Sequence, residues 1–192
     1  MTAAQMNSTL LTLNLDFNTT LRSDGVCSLA KGLKLNSTLK RLSLRFCGIR
    51  ENGGTPISDI ISFQRSSIES IDLEGNHLGG TGVKNLCPGL KSNTSLLQIS
   101  LADIGLSSSD CGALESFGES ICKHKTLTEL NFMRNIIGKP GALALSKHLE
   151  HNKKIISIKV DTTLCPESYE ALCRIPACEK KKRKKKSKKK KK

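Results

Sequence analysis

Apolar and polar residues alternate along this chain in a short phrase that returns about every 28 residues, a period that marks a repeat architecture. Leu10, Leu13, Leu15 and Asn18 form the first instance, followed by Leu39, Leu42, Leu44 and Cys47, then Ile68, Ile71, Leu73 and Asn76. Leu96, Ile99, Leu101 and Ile104 make the fourth, and Leu127, Leu130, Phe132 and Asn135 the fifth. Ile155, Ile158, Val160 and Thr163 form a weaker sixth. Within each instance the apolar period is two, which predicts a short strand with one buried face. The stretches between strands have helical spacing instead: Val26, Leu29, Ala30 and Leu33; Val83, Leu86 and Leu90; Ala142, Leu145 and Leu149. Helix starts are expected at Ser23-Asp24, between Ser107 and Asp110, and at Pro140.

One strand and one helix cannot bury their own apolar faces, so successive units must stack. The expected fold is α/β: a solenoid of about six repeats, with a parallel β-sheet on the concave face and helices on the convex face. A structural ladder of Asn18, Cys47, Asn76 and Asn135 marks where the strands turn outward. An asparagine there can donate to and accept from backbone groups that the bend leaves unpaired. Cys47 offers a weak version of that bonding and Ile104 none, so the second and fourth repeats are expected to have looser turns. The second repeat runs through Gly53-Gly54-Thr55-Pro56 into an irregular helix expected over Ile57–Phe63, and the fourth carries Ser107-Ser108-Ser109 and a helix expected to extend towards His124. Both fit ordinary loop variation.

Asn135-Ile136-Ile137-Gly138, Gly141-Ala142-Leu143-Ala144-Leu145 and Leu90-Lys91-Ser92-Asn93-Thr94-Ser95-Leu96 resemble the consensus of the ribonuclease-inhibitor-like subclass of leucine-rich repeat proteins. The resemblance covers Leu10–Thr163 and implies a horseshoe with a protein-binding role. The same scaffold serves ribonuclease inhibitors, GTPase activators of the Ran type, innate-immune receptors and ciliary proteins, so the fold does not select among activities. Before the first strand, residues 4–9 resemble the tail of a helix, and no N-terminal cap is visible. Two readings stay open: a fragment, or an open edge covered by a partner. At the other end, Leu164–Ile175 is expected to close the stack with a short helix, Glu167–Arg174.

The default binding surface of such a solenoid is its concave face. Three outward columns run across the strands: Thr12, Arg41, Ser70, Gln98, Glu129, Ser157; Asn14, Ser43, Asp72, Ser100, Asn131, Lys159; and Asp16, Arg45, Glu74, Ala102, Met133, Asp161. The candidate contact residues are Arg41 and Arg45 towards acidic groups and Asp72 and Glu74 towards basic ones. Asn131 joins them, with Met133, Phe17 and Phe46 as apolar anchors of the kind interfaces favour.

Charge changes the picture only at one end. Of the formal +14, Glu179–Lys192 supply +11 through twelve Lys or Arg and one acid, leaving +3 on residues 1–178. The expected organisation is a repeat domain over 1–178 and a disordered polybasic tail over 179–192. Lys180, Arg183, Lys186 and Lys190 represent the tail's contacts with nucleic acid, another acidic surface or the nuclear-import machinery.

No basic, apolar leader opens the chain, and no apolar run reaches the roughly 18 residues of a membrane span. Eight cysteines mostly occupy repeat positions and are expected to be reduced, which points to the cytoplasm, with nuclear entry through the tail. The sequons at Asn7, Asn36 and Asn93 recur at one repeat phase, where a polar turn is needed, and the fourth uses Asn18. Cys165, Cys173 and Cys178 match no paired zinc spacing, and His148 and His151 sit at a helix end where basic side chains suit the dipole. Gly79-Gly80-Thr81-Gly82 is a repeat turn rather than a phosphate loop. No catalytic arrangement can be assembled. The expectation is therefore no enzyme, no cofactor, no metal and no small-molecule substrate, but an intracellular protein–protein interaction module, a scaffold or adaptor binding a protein partner through its concave face and loops. Two alternatives stand beside it: a GTPase-activator-like regulator acting in trans, and tail-mediated electrostatic tethering to nucleic acid or another acidic surface.

Overall fold

The computed structural model describes residues 7–150 and 152–161, together with Tyr169 and Leu172. Six three-residue strands lie in one parallel sheet in chain order: β1 (Thr12–Asn14), β2 (Arg41–Ser43), β3 (Ser70–Asp72), β4 (Gln98–Ser100), β5 (Glu129–Asn131) and β6 (Ser157–Lys159). Five helices alternate with them: α1 (Arg22–Leu33), α2 (Gly54–Ser62), α3 (Gly79–Ser92), α4 (Cys111–Ile121) and α5 (Gly138–Leu149). This is the α/β solenoid. Its register aligns Thr12, Arg41, Ser70, Gln98, Glu129 and Ser157 in one row and Asn14, Ser43, Asp72, Ser100, Asn131 and Lys159 in another, as the period-two pattern predicts. Beyond the strands the pairing continues: Phe17 N–H donates to Arg45 O at 2.8 Å, Phe46 N–H to Glu74 O at 2.9 Å and Gly75 N–H to Ala102 O at 3.1 Å.

The core lies between sheet and helices. Leu42, Leu44, Ile71, Leu73, Ile99, Leu101, Leu130 and Phe132 point inward from the strands and meet Val26, Ile57, Leu86, Phe117 and Leu145 from the helices, all buried. Phe117 and Phe132 meet edge to face, with ring centres 5.5 Å apart, a geometry favoured by the ring quadrupoles. The first repeat is less covered: Leu10 and Leu11 are exposed.

Several helix boundaries differ from the sequence expectation. The second repeat has a 3₁₀ turn over Glu51–Gly53 running directly into α2, which begins at Gly54 rather than Ile57. The glycine is what permits this: a Cβ at Gly54 would lie 2.3 Å from the carbonyl oxygen of Gly82 in α3. Helix α4 stops at Ile121, short of His124. The expected capping residues do not cap. Ser23 sits inside α1 and its Oγ accepts the N–H of Arg50 in the next repeat at 3.2 Å. The Asp110 carboxylate turns back to accept from the N–H and hydroxyl of Ser107, both at 2.8 Å.

The asparagine ladder also works differently, because Asn76 and Asn135 each serve the repeat before their own. Asn76 Oδ1 accepts the N–H groups of Cys47 (3.1 Å) and Ile49 (3.0 Å), and its amide donates to Leu44 O and Leu73 O, both at 2.8 Å. Asn135 does the same for Ile104 and Leu106, at 3.2 and 3.1 Å. The turns of the second and fourth repeats are thus the bonded ones, not the loose ones. Cys47 donates its thiol to Leu15 O at 3.0 Å. Exposed Asn18 holds Leu15 O at 2.7 Å.

A second ladder sits at the turns leading into the strands. Asn36 and Asn93 are buried; their Oδ1 atoms accept from Leu39 and Leu96 N–H (2.9 and 2.7 Å), while their amides donate to Asn7 O and Ile61 O. Three of the sequons occupy this position, and the amides a glycan would modify at Asn36 and Asn93 are engaged. His124 takes the same place in the fifth repeat, with Nδ1 accepting from Leu127 N–H at 3.1 Å. Of the closing helix expected over Glu167–Arg174, only Tyr169 and Leu172 are described; both are helical and Leu172 is buried. His151, Cys165, Cys173, Cys178 and the tail over 179–192 lie outside the described residues. The five described cysteines are free.

Candidate protein-binding surface

Each of the first five repeats leaves the sheet through a residue with left-handed backbone: Phe17 (φ 63°), Phe46 (52°), Gly75 (72°), Asp103 (51°) and Arg134 (59°). These residues immediately precede the ladder position, so their side chains form a further column at the strand exits. Gly75 leaves a gap in it. The Phe46 ring fills that gap so closely that a Cβ on Gly75 would lie 2.2 Å from it. Phe17 stacks on the other side of Phe46, with ring planes 5° apart and centres at 5.2 Å. Those values describe an offset stack, worth about 0.5–1.5 kcal/mol beyond area burial. Phe17 nevertheless remains 68% exposed.

A charged network adjoins the stack. Glu74, only 8% exposed, accepts the Arg45 guanidinium at 3.0 Å and also pairs with Arg134. Arg134 comes from two repeats further on, and it reaches Glu74 because the intervening third-column residue is the small Ala102. Arg45 Nε lies 3.8 Å from Asp72, an ion pair too long for a hydrogen bond, and its guanidinium carbon stands 5.9 Å from the centre of the Phe46 ring. Burial pushes the Asp72 carboxyl above its ordinary range; a hydrogen bond from Ser100 and the charge of Arg45 oppose the shift. Asn131 completes this row by donating to Ser100 Oγ at 3.1 Å.

Two depressions flank these groups. On the sheet itself a shallow groove of about 180 Å3 contains Asp72 and Asn131. At the strand exits an open cleft of about 620 Å3 is lined by Phe46, Gly48 and Gly75, by Arg22 and Asp24 of α1, and by Arg50 and His77.

The candidate residues therefore separate into two groups. Phe17, Phe46, Arg45, Asp72 and Glu74 come together, with Asn131 joined to Asp72 through Ser100. Arg41 stands apart, exposed, its Nε donating to Thr12 Oγ1 at 3.1 Å. Half-buried Met133 lies towards the other end of the face. Arg45, Asp72 and Glu74, together with Arg134, neutralise one another, whereas their sequence pattern aims them at a partner. Arg134, Arg22 and Arg50 escaped that reading. A signal for one of them exists: Arg134 holds the same repeat phase as Phe17 and Phe46, whereas Arg22 lies one residue further past its ladder position than Gly79 and Gly138 do past theirs.

A Leucine Rich repeat family model matches residues 35–58, 65–87 and 123–146. The chain is 31% identical over 149 residues to the human "NACHT, LRR and PYD domains-containing protein 13", covering 77% of this chain and 14% of that protein. It is 28% identical over 138 residues to mouse ribonuclease inhibitor, covering 69% of this chain and 28% of the inhibitor. The chain is a leucine-rich repeat protein. Its repeats are of the ribonuclease-inhibitor-like kind, and proteins built from them are in general protein-interaction modules that are typically non-enzymatic. It is also 25% identical over 130 residues to the Caenorhabditis briggsae protein phosphatase 1 regulatory subunit 37 homolog, covering 67% of this chain and 14% of that protein. The chain thus spans less than a third of the length of each of these relatives. Among solved structures it resembles leiomodin-1 actin-binding site 2 (TM-score 0.56, 14% identity, 94% of this chain and 86% of that one). It also resembles the tropomodulin C-terminal domain of Caenorhabditis elegans (TM-score 0.55, 12% identity, 97% and 92%). At such identities the likeness shows the fold alone. No helix among the described residues is long and apolar enough to cross a membrane.

Proposed function

We propose that this chain is a scaffold or adaptor that binds a protein partner through its concave face and the adjoining strand-exit loops. The observation that carries this reading is the Phe17–Phe46 stack: a large ring, 68% exposed, is stacked at the rim of a largely polar sheet face. Aromatic anchors flanked by ordered polar groups supply most interface energy, and the internal pairing of Arg45, Glu74 and Arg134 lowers the side-chain entropy lost on docking. The names of the relatives, an inhibitor and a regulatory subunit, and of an actin-binding structural neighbour fit a binding role without choosing a partner. The free described thiols suit a reducing compartment, and there we place the module, cytoplasmic with nuclear access. Residues 179–192 act in this proposal as a separate electrostatic attachment.

The test is site-specific photo-crosslinking in cells, with a benzophenone amino acid replacing Phe17 or, on the convex surface, Lys84. The reading expects discrete adducts from position 17 and none of the same size from position 84. Adducts confined to position 84 would place binding on the helices instead.

A further inference from the structure

We propose that the open cleft beside the Phe17–Phe46 stack receives an acidic, extended segment of a protein partner. This rests on the interaction reading above and specifies the chemistry of what is bound. Three basic side chains from successive repeats face the cleft: Arg22 at the start of α1, Arg50 after β2 and His77 after β3. Of the described residues lining it, Asp24 is the one acidic residue. Among the described residues, Arg22 and Arg50 enter no salt bridge, whereas Arg45 and Arg134 are engaged by Glu74. The two guanidiniums are exposed and, with no salt bridge to Asp24, are open to carboxylates from a partner. Because they come from neighbouring repeats, an extended segment of three or four residues spans them, at roughly 4.8 Å per strand position and 3.3 Å per residue. Gly48, Gly75 and the Phe46 ring also line the cleft, and exposed Phe17, stacked on Phe46, stands alongside to take an apolar side chain next to the acids.

Arg22 adds an independent sign. The first residue of α3 is Gly79 and that of α5 is Gly138, both with left-handed backbone; the first residue of α1 is Arg22, with φ 51°. An arginine is strained where glycine is at ease. The strain is retained where it delivers a positive charge into the cleft, the pattern expected of a functional site. A phosphate backbone fits less well, since it selects a continuous basic stripe, and this cleft interposes Asp24 and an aromatic rim.

The experiment measures fluorescence anisotropy of a fluorescein-labelled peptide of alternating aspartate and glutamate ending in phenylalanine, with the full chain at physiological salt. Saturable binding is expected, with Arg22→Gly and Arg50→Ser each weakening it about tenfold, the loss of one charge-assisted contact. Arg22→Gly should also raise the Tm, which separates lost contact from lost fold. The tail is present in every variant, so its own attraction is constant across the series. Unchanged affinity in both variants overturns the proposal, as does a single-stranded oligonucleotide that binds more tightly and depends on the same arginines. If Phe17 still crosslinks to a partner after either outcome, the interaction reading survives and only the cleft assignment falls.

Discussion

Asn76→Ala should be among the most damaging single changes in this chain, and its magnitude follows from four hydrogen bonds. The Asn76 side chain is fully buried and accepts the N–H groups of Cys47 and Ile49 while donating to Leu44 O and Leu73 O. Alanine leaves two buried donors with no acceptor and two carbonyls short of a donor. A buried orphan costs about 1–3 kcal/mol, and carbonyls with a second lone pair cost less, so the expected loss is about 3–5 kcal/mol. Asn18→Ala is the internal control. That side chain is exposed and bonds to Leu15 O and Asp16 O of its own repeat, so its loss should cost less than about 1 kcal/mol. Urea unfolding followed by far-UV circular dichroism gives both values. Equal, small losses for the two variants would refute the conclusion that Asn76 secures the turn of the preceding repeat.

Acid should destabilise the protein through His124. Its Nδ1 faces two N–H donors, from Thr126 and Leu127, and burial lowers its pKa. The unfolded chain therefore binds the proton more readily, so the stability tied to the neutral ring is complete above about pH 6.5. It is lost as pH falls below that towards the lowered folded-state value. Urea midpoints measured across this range should fall with acidity, and the slope should shrink in His124→Asn, whose Oδ1 can accept from both donors as Asn93 does. Cys47, buried and with its thiol pKa raised first by burial and also by Asp16, should alkylate only on unfolding, whereas exposed Cys27 and Cys111 label at once; peptide mass spectrometry reads the order. Deleting residues 179–192 should abolish most salt-dependent retention on a nucleic-acid column, since the remainder carries only +3 of the formal +14. Undiminished retention would locate that affinity in the repeats.

Strand register was legible because it follows from one local rule. With period two and a recurring phrase, Leu42 must face inward and Arg41 outward, and stacking then places Arg41 beside Thr12 and Ser70. Phe17 and Phe46 were recognisable as anchors by residue type, although their stacking was not. That contact depends on left-handed exits and on the missing side chain at Gly75, a three-repeat relation with no local signature. The Glu74–Arg134 pair was hidden for the same reason, since it crosses the fourth repeat only because Ala102 is small. The ladder was assigned to the right residues in the wrong direction: composition identifies an asparagine that can bond both ways but not which repeat's N–H groups it meets. The pre-strand asparagines read simply as polar turn residues in the sequence, and only the folded structure shows His124 filling one of their places.

Hydrogen–deuterium exchange of the full chain, alone and with its crosslinked and purified partner, tests the central claim most directly. The account predicts new protection in residues 16–22, 45–50 and 74–77, where the phenyl stack, the Glu74 network and the cleft lie, with the outer faces of α3 and α4 unchanged. Protection confined to those helices, with the strand exits exchanging as in the free chain, would contradict it.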